Sequence, residues 1–233
     1  MGKLKRLLAP EFWKIAKKKT TWSITPKPGP HKKFECIPLG IIVRDILKLA
    51  ETGKEAKAII KRKEIMVDGK PRKDHAFPVG LMDVVSIPKL NKHYRIVPFE
   101  KGLKVIEIGE DEANLKLVKI RNKKIVKKGK IQLNLHDGKN LLVEKDNYKT
   151  GDSLLLELPS LKIVQHLKLE KGVVGVVLKG KKAGKIARVL EVKIPRGREK
   201  RKIVCESDKE KFEVLFDHFF VVGKDTPLIK VIP

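Results

Sequence analysis

Cysteine is nearly missing from this chain. Cys36 and Cys205 are the only two among 233 residues. They lie too far apart in sequence to make a zinc cluster or a disulfide framework. They leave room for one bridge, or for two reduced thiols of the kind a cytosolic protein carries. Aromatic residues are scarce at 5%, which argues against a stacking platform of exposed Phe or Tyr. No apolar run approaches the roughly 20 residues that a membrane-spanning helix needs. The opening MGKLKRLLAP is basic but has no signal-peptide core, and Arg6 stands where N-myristoylation requires Ser or Thr. Internal repeats and low-complexity tracts are missing too.

Acidic residues are the largest deficit. Against 54 Lys+Arg stand 28 Asp+Glu, a net charge of +26. A heat-adapted surface gains Glu together with Lys; here the acids lag behind. Such self-repulsion weakens a compact state and fits a polyanionic partner, nucleic acid before membrane. Hydrophobic residues at 41% suffice for real cores, so the chain is not a disordered basic tail.

Catalytic patterns are thin. The six histidines, at 31, 75, 93, 136, 166 and 218, show no metal-ligand spacing. Neither a G-x-S-x-G elbow nor a G-x-G-x-x-G fingerprint occurs. The stretch GVVLKGKKAGKIARVLEV, residues 175–192, resembles a phosphate loop at Gly175, Gly180 and Lys181. Residue 182 is Lys, though, where the Mg²⁺-holding hydroxyl belongs, and KIARVLEV favours a strand where a P-loop needs a helix. No cofactor, metal or small-molecule substrate is expected.

The order of elements predicts an α+β protein, mostly β, in four modules. Residues 1–41 form a basic arm with ten Lys/Arg and two acids; TPKPGP blocks a continuous helix there, and the arm is expected to order only on RNA. Residues 42–90 read as helix, helix and small sheet. Leu39, Ile42, Val43, Ile46, Leu47 and Ala50 share one helical face, with Gly53 placed to close that helix. Asp68-Gly69 marks a hairpin turn. Residues 91–170 read as short alternating strands, with a short helix within EDEANLKLVKI and a turn at Asp137-Gly138. Residues 171–233 are again strands, interrupted by the basic loop PRGREKRK. Strand, glycine-punctuated turn, strand is what residues 172–192 require of a small-barrel hairpin.

These residues carry a resemblance. Gly172, Gly180, Gly184-Lys185 and Val189 are similar to a KOW motif, the β-hairpin segment of ribosomal proteins and transcription elongation factors, although Ala187 stands at a usual glycine. IMVDGKPRKD and FPVGLMDVVSI resemble the S-four RNA-binding domain. LKRLLAPEFW, KPGPHKKFECIPL, HDGKNL and TGDSLLLELP extend the likeness along nearly the whole chain. In that order the chain resembles the archaeal and eukaryotic small-subunit ribosomal protein four, the "four-e" family. The compact end, LIKVIP, is closer to archaeal members.

The resemblance implies a cytoplasmic protein built into the small ribosomal subunit. It implies small-subunit rRNA and neighbouring ribosomal proteins as partners, an SH3-like barrel around the KOW hairpin, and no reaction of its own. The candidate rRNA-binding residues are Lys3, Lys5, Arg6, His31, Lys32 and Lys33 in the arm. Arg44, Lys57, Lys61, Arg62, Lys63, Lys70, Arg72 and Lys73 follow in the S-four module. Lys179, Lys181, Lys182, Lys185, Arg188, Arg196 and Arg198 belong to the KOW region, where Gly180 and Gly184 would let the backbone approach RNA. The alternatives are an rRNA-modifying enzyme, which would need a Gly-Arg-Leu-Asp type segment or a cofactor loop, and a KOW-type transcription elongation factor, which leaves the S-four module and the arm unexplained.

Overall fold

Short period-two segments broken by Gly and Asp-Gly turns cannot bury much alone, so they pair into several small sheets. The computed structural model describes residues 4–100, 102–126, 129–193, 199–208 and 210–232. The chain forms two compact units, one of residues 1–97 with 101–114, the other of residues 98–100 with 115–233.

The first unit begins with β1 (Leu4–Lys5), β2 (Trp22–Ser23) and β3 (Cys36–Pro38). Helix α1 (Leu39–Ile41) then runs into a π-helical turn, Ile42–Ile46. The Leu47 N–H donates to Ile42 O at 2.8 Å, and the Leu49 N–H to Val43 O. The expected apolar face is present, with Leu39, Ile42 and Val43 fully buried. Lys48, in the left-handed region, ends this turn. Gly53 therefore does not close it as expected; it opens α2 (Gly53–Lys61). Thr52 and Glu55 form a reciprocal capping box there, the Glu55 N–H donating to Thr52 Oγ1 at 3.2 Å. Ala56 and Ile60 face inward.

Strands β4 (Met66–Val67) and β5 (Lys70–Pro71) flank the expected turn, with φ of +52° at Asp68 and +69° at Gly69, the geometry of a type I′ hairpin. Next come β6 (Pro78–Gly80), β7 (Val84–Ile87), β8 (Lys92–Phe99), β9 (Gly102–Ile108) and the single-turn α3 (Glu110–Ala113). The sheet order is β5-β4-β7-β8-β9, with β3–β6 and β1–β2 as separate pairs.

The N-terminal segment corrects the expectation of an arm ordered only by RNA. Leu4, Ala9, Trp13 and Ile15 join one core with Ile37, Leu39, Ile60, Val85 and Ile96. Trp13 is wholly buried, and its Nε1–H donates to Cys36 O at 2.8 Å. Burying this indole with its polar handle satisfied, together with Leu4, Ala9 and Ile15, opposes the entropy cost of ordering the segment.

The second unit carries two five-stranded antiparallel sheets. The first contains β10 (Leu115–Ile125), β11 (Ile131–Leu135), β12 (Asn140–Val143), β13 (Ser153–Glu157) and β14 (Ile163–Leu167), in the order β12-β11-β10-β13-β14. The second contains β15 (Val174–Val177), β16 (Ile186–Lys193), β17 (Lys202–Ser207), β18 (Glu210–Leu215) and β19 (Phe219–Gly223), in the order β18-β17-β16-β15-β19. Val118, Ile120, Leu133, Leu135, Leu154 and Leu156 form the core of the first sheet. The fold is mostly β with few helices. Both cysteines are buried and free, which excludes the single bridge.

Candidate nucleic-acid interface

In the first unit, α2 displays Lys57 and Lys61 one turn apart, both exposed. Their charges, with that of Lys27, act on His75. Burial pushes the His75 imidazole down, Asp74 opposes that, and the charges of Lys57, Lys27 and Lys61 push it further. Lys63, Lys70 and Lys73 are exposed, as is Arg62 at the end of α2. Lys5, Lys32 and Lys33 are exposed as well, with the Lys33 ammonium 5.4 Å from the Phe34 ring centre.

Four expected binding residues are engaged inside the protein. Arg6 is buried: its Nε donates to Ala16 O at 2.6 Å and its guanidinium lies 3.7 Å from Asp45. His31 packs over Gly80, where a Cβ would come within 2.3 Å of its ring, and sits 2.9 Å from Asp83. Arg44 is half-buried and donates to Asp45 at 2.7 Å. Arg72 is half-buried with its guanidinium 4.2 Å from the Phe77 ring centre. Arg6 and His31 are thus removed from the RNA-facing set, because packing and a carboxylate already hold them.

In the second unit, residues 175–192 fold as the expected hairpin, with Gly175 paired to Ala187 and Val176 to Ile186. The segment after Gly184 is strand β16, so no helix N-terminus awaits a nucleotide phosphate there. Gly175 has a packing cause: a Cβ would come 2.3 Å from Phe219 Cζ. Gly180 has φ of +106° and open space where a Cβ would lie, as close backbone approach requires. Gly184 differs. A Cβ there would come 3.1 Å from Phe99 Cα, so this backbone packs on protein rather than on RNA.

Lys179 and Lys181 are exposed at the hairpin tip. Lys182 pairs with Glu210, Lys185 with Asp208 at 3.4 Å, and Arg188 with Asp225 at 3.6 Å. These acids are mostly in water, so the pairs are weak and readily exchanged. Burial lowers the His218 imidazole, Lys179 lowers it further, Asp217 opposes, and Lys119 and Lys200 add to the depression. Lys3, Arg196 and Arg198 lie outside the described residues.

Lys27 and Lys200 are not among the residues named from sequence, although PRGREKRK is expected to grip RNA as a loop; each carries a charge that depresses a nearby imidazole. Sequence reasoning also missed that some cations are core. Lys116 and Asp137 are 0% and 1% exposed at 3.0 Å. Burial would raise the Asp137 carboxyl, but Lys116, His136 and Lys139 hold it well below the usual carboxylate range. Lys119 donates to Phe216 O at 2.7 Å and Phe219 O at 2.8 Å. Burial pushes its ammonium down to about 8, against the pull of Asp217. Among the described residues, no group of His, Cys, Asp and Glu is placed to hold a metal ion, and no helix is long and apolar enough to cross a membrane.

The RS4NT domain matches residues 2–34, the S4 domain residues 41–85, and the Ribosomal family S4e residues 90–163. The chain is similar to Small ribosomal subunit protein eS4 of Archaeoglobus fulgidus, 49% identical over 228 residues, 97% of this chain and 96% of that protein. It is similar to the protein of the same name from Methanosphaera stadtmanae, 44% identical over 230 residues, 98% of this chain and 95% of that protein. Among solved structures, the 30S ribosomal protein S4e of Thermoplasma acidophilum superposes with a TM-score of 0.71 at 28% identity, covering 82% of this chain and 96% of that one. Near-complete coverage at such identity, with the S4 domain where its hairpin and helices stand, means that the chain belongs to the Ribosomal family S4e.

Proposed function

We propose that this protein is a structural constituent of the small ribosomal subunit that holds small-subunit rRNA by its phosphates. The observation that carries the reading is the end-to-end likeness to archaeal proteins named as small-subunit components. The exposed cations of both units supply the physical means. Each Lys or Arg that meets a phosphate releases condensed counterions, and the gain requires no base sequence. Folded RNA is then recognised by shape, 2′-hydroxyls and phosphate spacing.

In this reading four modules share the work, at residues 1–41, 42–90, 91–170 and 171–233. Lys57, Lys61, Arg62, Lys63, Lys70 and Lys73, with Lys27, form the S4-module contact. Lys179, Lys181 and Lys200 form a second, on an SH3-like barrel whose β15–β16 hairpin is the KOW segment. Lys182, Lys185 and Arg188 exchange their exposed acids for phosphates on binding. Lys5, Lys32 and Lys33 extend the first contact. The protein makes and breaks no bonds and acts in the cytoplasm with rRNA and neighbouring ribosomal proteins. Co-sedimentation tests this: tagged chain expressed in an archaeal host is expected in the small-subunit fraction at low salt. Recovery with RNA polymerase and not with the subunit would refute the assignment.

A further inference from the structure

Trp22 is set apart from the other tryptophan. Trp13 lies wholly in the core, whereas Trp22 is 47% exposed on β2. Its partner across the β1–β2 ladder is exposed Lys5. The preceding run Lys17, Lys18 and Lys19 is exposed too. None of these four lysines has an ion-pair partner among the described residues.

The platform beneath Trp22 is held firmly. The Leu4 N–H donates to Thr25 Oγ1 at 3.1 Å and the Arg6 N–H to Thr21 O at 2.9 Å. The buried Arg6 guanidinium donates to Ala16 O at 2.6 Å and Thr20 Oγ1 at 3.2 Å, tying down the loop that carries the lysine run. Arg6, removed above from the RNA-facing set, thereby acts as the post under this platform.

An exposed indole with Lys5 across the strand pair and the exposed Lys17–Lys19 run ahead of it in the chain suits a partner that offers π-faces and negative charge together. A protein partner would have to supply both an apolar pocket and several carboxylates. An unpaired nucleotide supplies a stacking face and a phosphate in one unit. We propose that Trp22 stacks on an unpaired RNA base while Lys5 and Lys17–Lys19 neutralise the flanking phosphates. The proposal rests on the RNA-binding reading above and adds a site that takes single-stranded RNA.

Indole emission tests it in the full chain. The protein is titrated at low salt with poly(U), with an RNA duplex and with inorganic polyphosphate, at equal phosphate concentration. Poly(U) is expected to quench emission and the other two are not. Trp22→Phe is expected to abolish the response, since Trp13 is shielded. Trp22→Ala is expected to weaken poly(U) binding about tenfold and leave polyphosphate binding unchanged. Equal quenching by polyphosphate, quenching that survives Trp22→Phe, or unchanged poly(U) affinity in Trp22→Ala overturns the proposal. An indole that responds to other ribosomal proteins and not to poly(U) overturns it as well, marking a protein contact. Filter retention of small-subunit rRNA reads phosphate binding separately. Retention without quenching sinks the stacking site alone, whereas loss of both sinks the parent reading.

Discussion

Replacing Asp137 by Asn is expected to destabilise the second unit severely. The isostere keeps an oxygen to accept the Lys139 N–H, which Asp137 Oδ1 takes at 3.2 Å. It removes the carboxylate that faces the fully buried Lys116 ammonium. Removing one partner of a buried ion pair costs about 3–5 kcal/mol. With a urea dependence of about 1–3 kcal/mol per molar, the midpoint should fall by roughly 1–5 M. Both tryptophans belong to the first unit, so the transition is followed by circular dichroism. Lys116→Met should cost less, because Asp137 keeps Lys139 at 3.2 Å. The double variant Lys116→Met with Asp137→Asn should be more stable than Asp137→Asn alone, since the buried ammonium is gone with its carboxylate. Acid adds a second readout. The folded Asp137 carboxyl is held below its ordinary value, so its contribution is whole above about pH 4 and is lost as pH falls further. The gap between wild type and Asp137→Asn should therefore narrow in acid. A midpoint unchanged in Asp137→Asn, or a double variant less stable than that single one, would refute the reasoning.

Three further outcomes follow from the same geometry. Lys119 titrates lower in the folded protein than its ordinary 10.5, so the unfolded chain binds more protons between about pH 8 and that value. Stability of the wild type, measured by urea midpoint, should rise across this window relative to Lys119→Met. Burial pushes both thiols up to about 12, with Asp83 and Glu35 adding to the effect at Cys36. A thiol reagent at neutral pH should label neither cysteine until urea unfolds the chain. Reversing charge at Lys179 and Lys181 should weaken rRNA binding and lower its salt slope by about two, without lowering the stability of the first unit, which Arg6→Ala should lower.

Local chemistry carried much of the fold into view. Asp68-Gly69 specified its hairpin because both residues accept positive φ, and IQLNL specified β11 because its side chains alternate. What could not be read was set by distant partners. EDEANLKLVKI is expected to hold a short helix, which ends at Ala113, and LKLVKI begins strand β10. Buried Lys116 meets Asp137, 21 residues on, and Lys119 meets carbonyls about a hundred residues later. The same holds at the candidate interface. His31 is internal because Asp83, 52 residues on, receives it, and composition alone cannot separate such a residue from exposed Lys32 and Lys33. The Thr52–Glu55 capping box was available to sequence reading, yet the helix end was assigned to Gly53, because glycine serves both ends of helices. The π-helical turn at Ile42–Ile46 has no comparable sequence signal.

The salt dependence of rRNA binding addresses the central claim most directly. Affinity of the full chain for small-subunit rRNA is measured between about 50 and 200 mM salt. A phosphate clamp of roughly eight to ten contacts should lose several orders of magnitude across that range, with a linear log–log slope. An affinity that barely changes with salt would mean that the exposed lysines do not meet phosphates.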